Sequence, residues 1–174
     1  MLGRMLGAAR LDAATYEEVE ADGKAIIQAL IIVVVVTIAS VVGEMLGGGD
    51  DFDVVNVLIL GVIRGVVSWA IWALITWIVG TTILNTESTE ADWGQLARCT
   101  GFAQTPGLLN VFSFVPAVGG LITLAAFVWT FVAMLVAVRQ SLDYTSTWRA
   151  FTVILIAFIP VGILNVLVYW LTGA

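Results

Sequence analysis

The sequence predicts an all-α fold, a polytopic membrane helix bundle with five transmembrane helices, from its composition and its apolar patterning. Of the 174 residues, 60% are hydrophobic and 11% are charged, and the mean hydropathy is +1.04. Soluble globular proteins carry about 25% charged residues and about 45–50% apolar ones, so this chain belongs with the membrane proteins. Apolar stretches of about 20 residues, long enough to cross a hydrocarbon core as a helix, recur along the chain.

The same counts exclude several classes of function. Seven Lys and Arg face thirteen Asp and Glu, a net charge of −6, which provides no basic surface for a nucleic acid. The chain has no histidine and one cysteine, Cys99, so the usual clusters for metals, haem or nucleophilic catalysis are missing. We therefore expect no catalytic residue, no metal site, no cofactor and no nucleic-acid partner.

Two parts are predicted along the chain. Residues 1–24 form a cytoplasmic lead-in, with an interfacial helix as one alternative, because Leu2, Met5 and Leu6 share a helical face. Asp12 or Thr15 caps a second short helix there, and the residues from Thr15 to Glu18 fit a capping box. Residues 25–174 form a single membrane domain, with spans at about 25–43, 54–84, 96–115, 118–138 and 150–171.

The first two spans differ in length and charge. Residues 25–43 contain a run of β-branched side chains from Ile31 to Val36, yet the stretch is long enough to span as a helix. Residues 54–84 are longer than a bilayer requires and hold one charge, Arg64, so this helix is expected to tilt or to extend beyond the hydrocarbon core.

The third span, residues 96–115, mixes polar and apolar residues. Pro106-Gly107 interrupts its middle, and proline removes a backbone donor and clashes with the preceding turn, so a helix kinked or broken there is expected. The freed carbonyls need neighbouring helices, which favours a place inside the bundle. The alternative is a re-entrant segment, which leaves four spans and puts both termini on one side.

The fourth and fifth predicted spans are plainly apolar. The positions of the cations predict on which side of the membrane each loop and terminus lies. Cytoplasmic loops near span ends are enriched in Lys and Arg. With five spans, the N-terminus lies in the cytoplasm, the C-terminus lies outside, and six cations fall on the cytoplasmic side: Arg4, Arg10, Lys24, Arg98, Arg139 and Arg149.

The second span carries the interaction candidates Arg64, Gly61, Gly65 and Ser68. An ionisable residue inside a span is a functional candidate because its burial is costly. Arg64 has three possible partners: lipid phosphate, the acidic residues Asp50, Asp51 and Asp53, or the carboxylate of another protein. Gly61 and Gly65 form a GxxxG spacing, which Ser68 continues, and which suits packing within the bundle better than packing between chains.

A second set of residues suggests a polar cavity. Pro106 and Asn110 in the third span parallel Pro160 and Asn165 in the fifth. Two proline-broken helices in corresponding positions are typical of transporter sites. A small permease or channel for a neutral solute, with its cavity between the third and fifth helices, is therefore the alternative function, although helix packing explains the same residues.

Taken together, the sequence resembles the Ypt-interacting-protein (Yip) domain family, in a bacterial form. The segments that carry the likeness are Tyr16 to Asp22, Trp93 to Arg98, Gly101 to Ala103, Pro106, Pro116, Gly119-Gly120, Trp129, Ala137 to Leu142, and Trp148 to Ala150. The resemblance implies five membrane helices, a cytoplasmic N-terminus and no catalytic activity. Eukaryotic relatives bind prenylated Rab-type GTPases. The segment before the first span is short in this sequence and has no Asp-Leu-Tyr-Gly-Pro-like element, so GTPase binding is not carried over.

These observations favour a non-enzymatic protein of the bacterial plasma membrane. We expect it to act as an interaction, scaffold or accessory subunit of a larger membrane protein assembly, a bioenergetic complex being one candidate. Its expected partners are membrane lipids and other integral membrane proteins.

Overall fold

The computed structural model describes residues 1–48, 54–87 and 89–172, and all regular structure in these ranges is helical. The helices are α1 (Leu2–Ala9), α2 (Ala13–Ala21), α3 (Ala25–Leu46), α4 (Val54–Ile78) with a π-helical continuation (Val79–Ile83), α5 (Trp93–Phe102), a 3₁₀ helix (Thr105–Phe112), α6 (Gly119–Ser141) and α7 (Thr147–Thr172). The predicted all-α class is confirmed.

Within the described ranges, three helices are long and apolar enough to cross a membrane. They comprise Ala25–Leu46, Val55–Ile83 and Gly119–Ser141, and they coincide with the first, second and fourth predicted spans. Helix α7 occupies the fifth predicted span and begins three residues earlier than residue 150, at Thr147. Predicted and observed boundaries thus differ by only a few residues.

The third predicted span is built from two kinds of helix. Helix α5 ends at Phe102, and the 3₁₀ helix begins at Thr105 with Pro106 in its first turn. A first turn tolerates proline because its N–H has no partner within a helix. The change from α to 3₁₀ geometry therefore precedes the predicted break at Pro106-Gly107, and Pro106 lies in the first turn of the second helix.

This two-part third segment, residues 93–112, lies alongside α3. Gly101 packs on Ala29, where an added Cβ would lie 2.7 Å from the Ala29 Cβ. Further along, Gly107 packs on Val36, and Asn110 Nδ2 donates to Ser40 Oγ at 3.4 Å. The two segments therefore run side by side in the same direction.

Helices α1 and α2 form a hairpin that precedes the bundle. Asp12 caps α2: its carboxylate accepts from the Ala14 N–H at 3.3 Å and from the Thr15 hydroxyl at 2.7 Å. Thr15 is therefore a residue of the first turn, and the predicted capping box starting at Thr15 is wrong. A capping box does form at α5, between Asp92 and Gln95.

Candidate interaction surfaces on the membrane helices

Two of the small residues of α4, Gly61 and Gly65, face α3 within the same chain. A Cβ added at Gly61 would lie 3.1 Å from Val41 Cγ2, and one added at Gly65 would collide with the Thr37 side chain. Such close approach of two helix backbones is what small residues at this spacing permit. Gly61 and Gly65 thus serve packing inside the bundle, and a role for them between chains stays a prediction.

Arg64 lies on a different side of α4, where it is exposed. Its exposed apolar neighbours on the helix are Ile59, Leu60, Ile63 and Val67, which together with Arg64 we call the exposed α4 face. Arg64 follows Val54 by ten residues, about 15 Å of helix. No hydrogen bond or ion pair to Arg64 is found in the described parts of the chain, while the loop acids at positions 50, 51 and 53 fall outside them.

Ser68 is exposed as well and borders a cavity of about 370 Å³ between α4, α6 and α7. Most of its lining is aromatic or aliphatic, with Trp72 and Phe158 in contact across it at a ring-centroid distance of 4.8 Å. Gln104 and Thr130 are the main polar side chains on its wall. An apolar cleft of this kind suits a hydrocarbon chain or an apolar side chain better than a polar solute.

The four residues predicted to line a polar cavity are not brought together by the described contacts. Pro106 is buried, and Asn110 faces α3 through Ser40. Pro160 is exposed on α7, and the side chain of Asn165 lies outside the described residues. The 3₁₀ helix packs mainly on α3 and α6, whereas α7 packs on α6 and α4.

The docking of the α1–α2 hairpin on the bundle was not predicted. Tyr16 is fully buried, and its hydroxyl donates to the Ala8 carbonyl at 3.2 Å. Trp129 of α6 donates from Nε1 to the Ala9 carbonyl at 2.7 Å, and Arg98 of α5 donates to the Glu20 carbonyl at 2.5 Å. Both donors bond backbone oxygens, so these two bonds attach the lead-in to helices far along the chain.

Charged side chains also link the two helices of the hairpin to each other. Arg4 donates to Glu18 at 2.9 Å and to Asp22 at 2.8 Å, which raises the pKa of Arg4 and lowers that of Asp22. The pKa of Glu20 shifts in the opposite direction to that of Asp22. Burial, and secondarily the negative charge of Asp143, raises the pKa of the Glu20 carboxyl to about 7, against a smaller lowering effect of Arg98.

Long apolar helices with exposed aliphatic faces define the class of the molecule: a multi-pass helical membrane protein. A Yip1 domain matches residues 12–169, so the chain belongs to the Yip1 domain family, as the resemblance predicted. The Yip1 family is not a known enzyme family. Searches among curated proteins and among solved structures found no match.

Proposed function

We propose that this Yip1-domain protein spans the bacterial plasma membrane five times and works without catalysis, as an interaction or accessory subunit of a larger membrane protein assembly. The observation that carries the proposal is Arg64, a cation exposed on an apolar helix face with no acceptor in the described parts of its own chain. A bioenergetic complex is one assembly of this kind.

Five spans are supported by the length of the third segment. Helix α5 has 10 residues and the 3₁₀ helix has 8. At rises of about 1.5 and 2.0 Å per residue, they extend about 15 and 16 Å, together close to the 30 Å of a hydrocarbon core. Contacts with α3 also indicate that the third segment extends along the whole of that helix. Gly101 packs on Ala29 near the start of α3, and Phe114 lies beside Gly47 at its end. Helix α7, with 26 residues, is longer than a span requires.

A cytoplasmic N-terminus is supported by the clustering of cations at one end of the bundle. Arg4 lies near the start of α3 through its contact with Gln28 at 3.4 Å, and Arg98 contacts α2. Gln140, at the end of α6, donates to Glu17 of the same hairpin at 3.2 Å. Cysteine-labelling or reporter fusions at the two termini test this threading; we expect opposite sides, and finding both termini on one side would leave only four spans.

Arg64 favours a protein partner because a cation inside a span is expensive unless it has an acceptor, and none is found among the described residues. Translocon-insertion scales assign about 2.5–3.5 kcal/mol to an arginine at the centre of a membrane helix. Its apolar surroundings on the exposed α4 face suit a second membrane helix, and a carboxylate on that helix would compensate the charge.

The test is purification of the tagged full chain from its native membrane in a gentle detergent, followed by identification of co-purifying proteins. We expect Arg64→Gln to reduce the recovered partner more than tenfold and Arg64→Lys to retain part of it, because lysine keeps the charge. Arg10→Gln is the matched control, since it removes an exposed cation from the hairpin. Recovery of the same complex with Arg64→Gln as with the unmodified chain would refute the proposal.

The alternative, a permease for a neutral solute, remains a prediction that no observation favours. It needs polar groups around a water-accessible path, whereas the cavity beside Ser68 is mainly apolar.

A further inference from the structure

The loop between α6 and α7 encloses a polar cavity of about 280 Å³. Its lining residues are Thr86, Tyr144, Thr145, Ser146 and Arg149. Arg139, in the last turn of α6, fixes the loop. It donates to the carbonyls of Tyr144 at 3.1 Å and Thr145 at 3.3 Å, and to the Thr147 hydroxyl at 3.3 Å. The loop is therefore held in one shape around the cavity.

Tyr144 positions the second arginine of this site. Its hydroxyl donates to the carbonyls of Gly80 and Leu84, both at 2.9 Å, and its residue surface is 4% exposed. The Arg149 guanidinium carbon lies 5.8 Å from the centre of the Tyr144 ring. This cation–π contact orients the guanidinium and leaves its N–H groups available.

Three side chains that line the cavity can donate hydrogen bonds but have no hydrogen-bond partner among the described residues. Over the described ranges, neither the Arg149 guanidinium nor the hydroxyls of Thr145 and Ser146 make a hydrogen bond. The carboxylate of the loop, Asp143, is electrostatically coupled to Glu20 of α2 and does not line the cavity. A guanidinium beside two hydroxyls is a donor set that suits the oxygens of a phosphate group.

The first turn of α7, which borders this polar cavity, also borders an apolar groove of about 320 Å³. The groove lies between α6 and α7 and is lined by Phe131, Leu135, Thr147, Trp148 and Phe151. Trp148 is 77% exposed, and its ring meets Phe151 edge-on at 5.7 Å. On α6 the lining residues Phe131 and Leu135 are four positions apart, so the groove covers about 6 Å of that helix. Because Thr147 and Trp148 directly follow Ser146, the first turn of α7 bounds both spaces.

We propose that the two spaces together bind one anionic glycerophospholipid. Its phosphate contacts Arg149, Thr145 and Ser146, and one acyl chain lies in the groove beside Trp148. Charge complementarity selects this occupant, since the donors of the cavity include a cation and, among the residues that the structure describes, no carboxylate lines it. A free phosphate ion leaves the groove empty, and a zwitterionic lipid adds an ammonium group next to Arg149.

The test uses the full chain, delipidated in mild detergent and titrated with phosphatidylglycerol, with phosphatidylcholine of the same chain length, and with inorganic phosphate. Bound lipid is counted by native mass spectrometry. We expect phosphatidylglycerol to bind about fivefold more tightly than phosphatidylcholine, the preference that one membrane-proximal cation confers. Saturating inorganic phosphate is expected not to displace it, because the ion gains nothing from the groove.

Two variants separate the polar and apolar parts of the site. Arg149→Gln is expected to weaken phosphatidylglycerol binding about fivefold and phosphatidylcholine binding less, because the ammonium group of phosphatidylcholine offsets part of the attraction between its phosphate and Arg149. Trp148→Ala, at an exposed position that the fold tolerates, is expected to weaken both lipids; Arg10→Gln is the control for lost charge and is expected to change neither. Equal binding of the two lipids, displacement by phosphate, or an equal effect of Arg149→Gln and Arg10→Gln would overturn the proposal.

Discussion

The contact between Gly101 and Ala29 sets how closely the third segment approaches α3, and Gly101→Ala tests it. The added Cβ would lie 2.7 Å from the Ala29 Cβ and 3.2 Å from its Cα. Carbon atoms in favourable contact stand about 3.5–4.0 Å apart, so the overlap approaches 1 Å. Both Ala29 atoms are fixed to the backbone, so the two helices must separate to relieve it.

The size of the effect follows from two opposing contributions. Overpacking a close helix contact costs about 1–3 kcal/mol, while replacing glycine by alanine within a helix stabilises by about 0.5–1 kcal/mol. Gly101→Ala should therefore lower the free energy of unfolding by up to about 2.5 kcal/mol. Gly120 of α6 is the matched control, because nothing lies within 4 Å of a Cβ added there. Gly120→Ala should be neutral or slightly stabilising.

Unfolding in mixed micelles with increasing SDS, followed by far-ultraviolet circular dichroism, measures both variants. The difference between them isolates the overpacking contribution, about 1–3 kcal/mol, since the helix-propensity gain is common to both. Equal midpoints for Gly101→Ala and Gly120→Ala would show that the third segment does not pack on α3 at this distance. Gly101→Val, which is bulkier, should then also be tolerated.

Three further variants test the hairpin and the α3–α4 contact. The raised pKa of Glu20, about 7, means that the folded chain binds more protons than the unfolded chain between pH 4.5 and 7. Stability should therefore fall as pH rises through that window, and Glu20→Gln should remove the fall in melts at pH 5 and pH 8. Tyr16→Phe deletes the bond to Ala8 and should cost about 1 kcal/mol, or about 2–4 °C in melting temperature by calorimetry. Gly65→Ile should destabilise the single chain by collision with Thr37, without changing the oligomeric state in size-exclusion chromatography with light scattering.

Much of the fold could be predicted because long apolar runs are a strong local signal. The helix beginning at Ala25 and the one beginning at Val54 start where the sequence indicated. Pro106 also signalled an irregular third segment, because its missing N–H limits it to the start of a helix. The α-to-3₁₀ change itself depends on packing against α3, which no local pattern specifies.

The interactions of the lead-in could not be predicted, since they join residues distant in the chain. Tyr16 lies in a short polar helix, and its burial depends on α5, where Cys99 Sγ contacts the Tyr16 carbonyl at 3.5 Å. The one local signal that was missed is the Asp92-to-Gln95 spacing, which forms the capping box of α5. For the interaction candidates, the sequence named the glycines and Arg64 together, but which of them faces α3 and which is exposed depends on where α3 packs.

The bond from Trp129 to the Ala9 carbonyl also fixes an order of events during synthesis. The two residues are 120 positions apart, so at about 5–20 residues per second the hairpin is made about 6–24 s before its partner in α6 exists. Until then, the end of α1 lacks this contact, and Tyr16 can be covered only by earlier helices such as α5. The hairpin thus completes its contacts only after α6 has been made, and it is most exposed to proteases in nascent chains whose insertion stalls before α6.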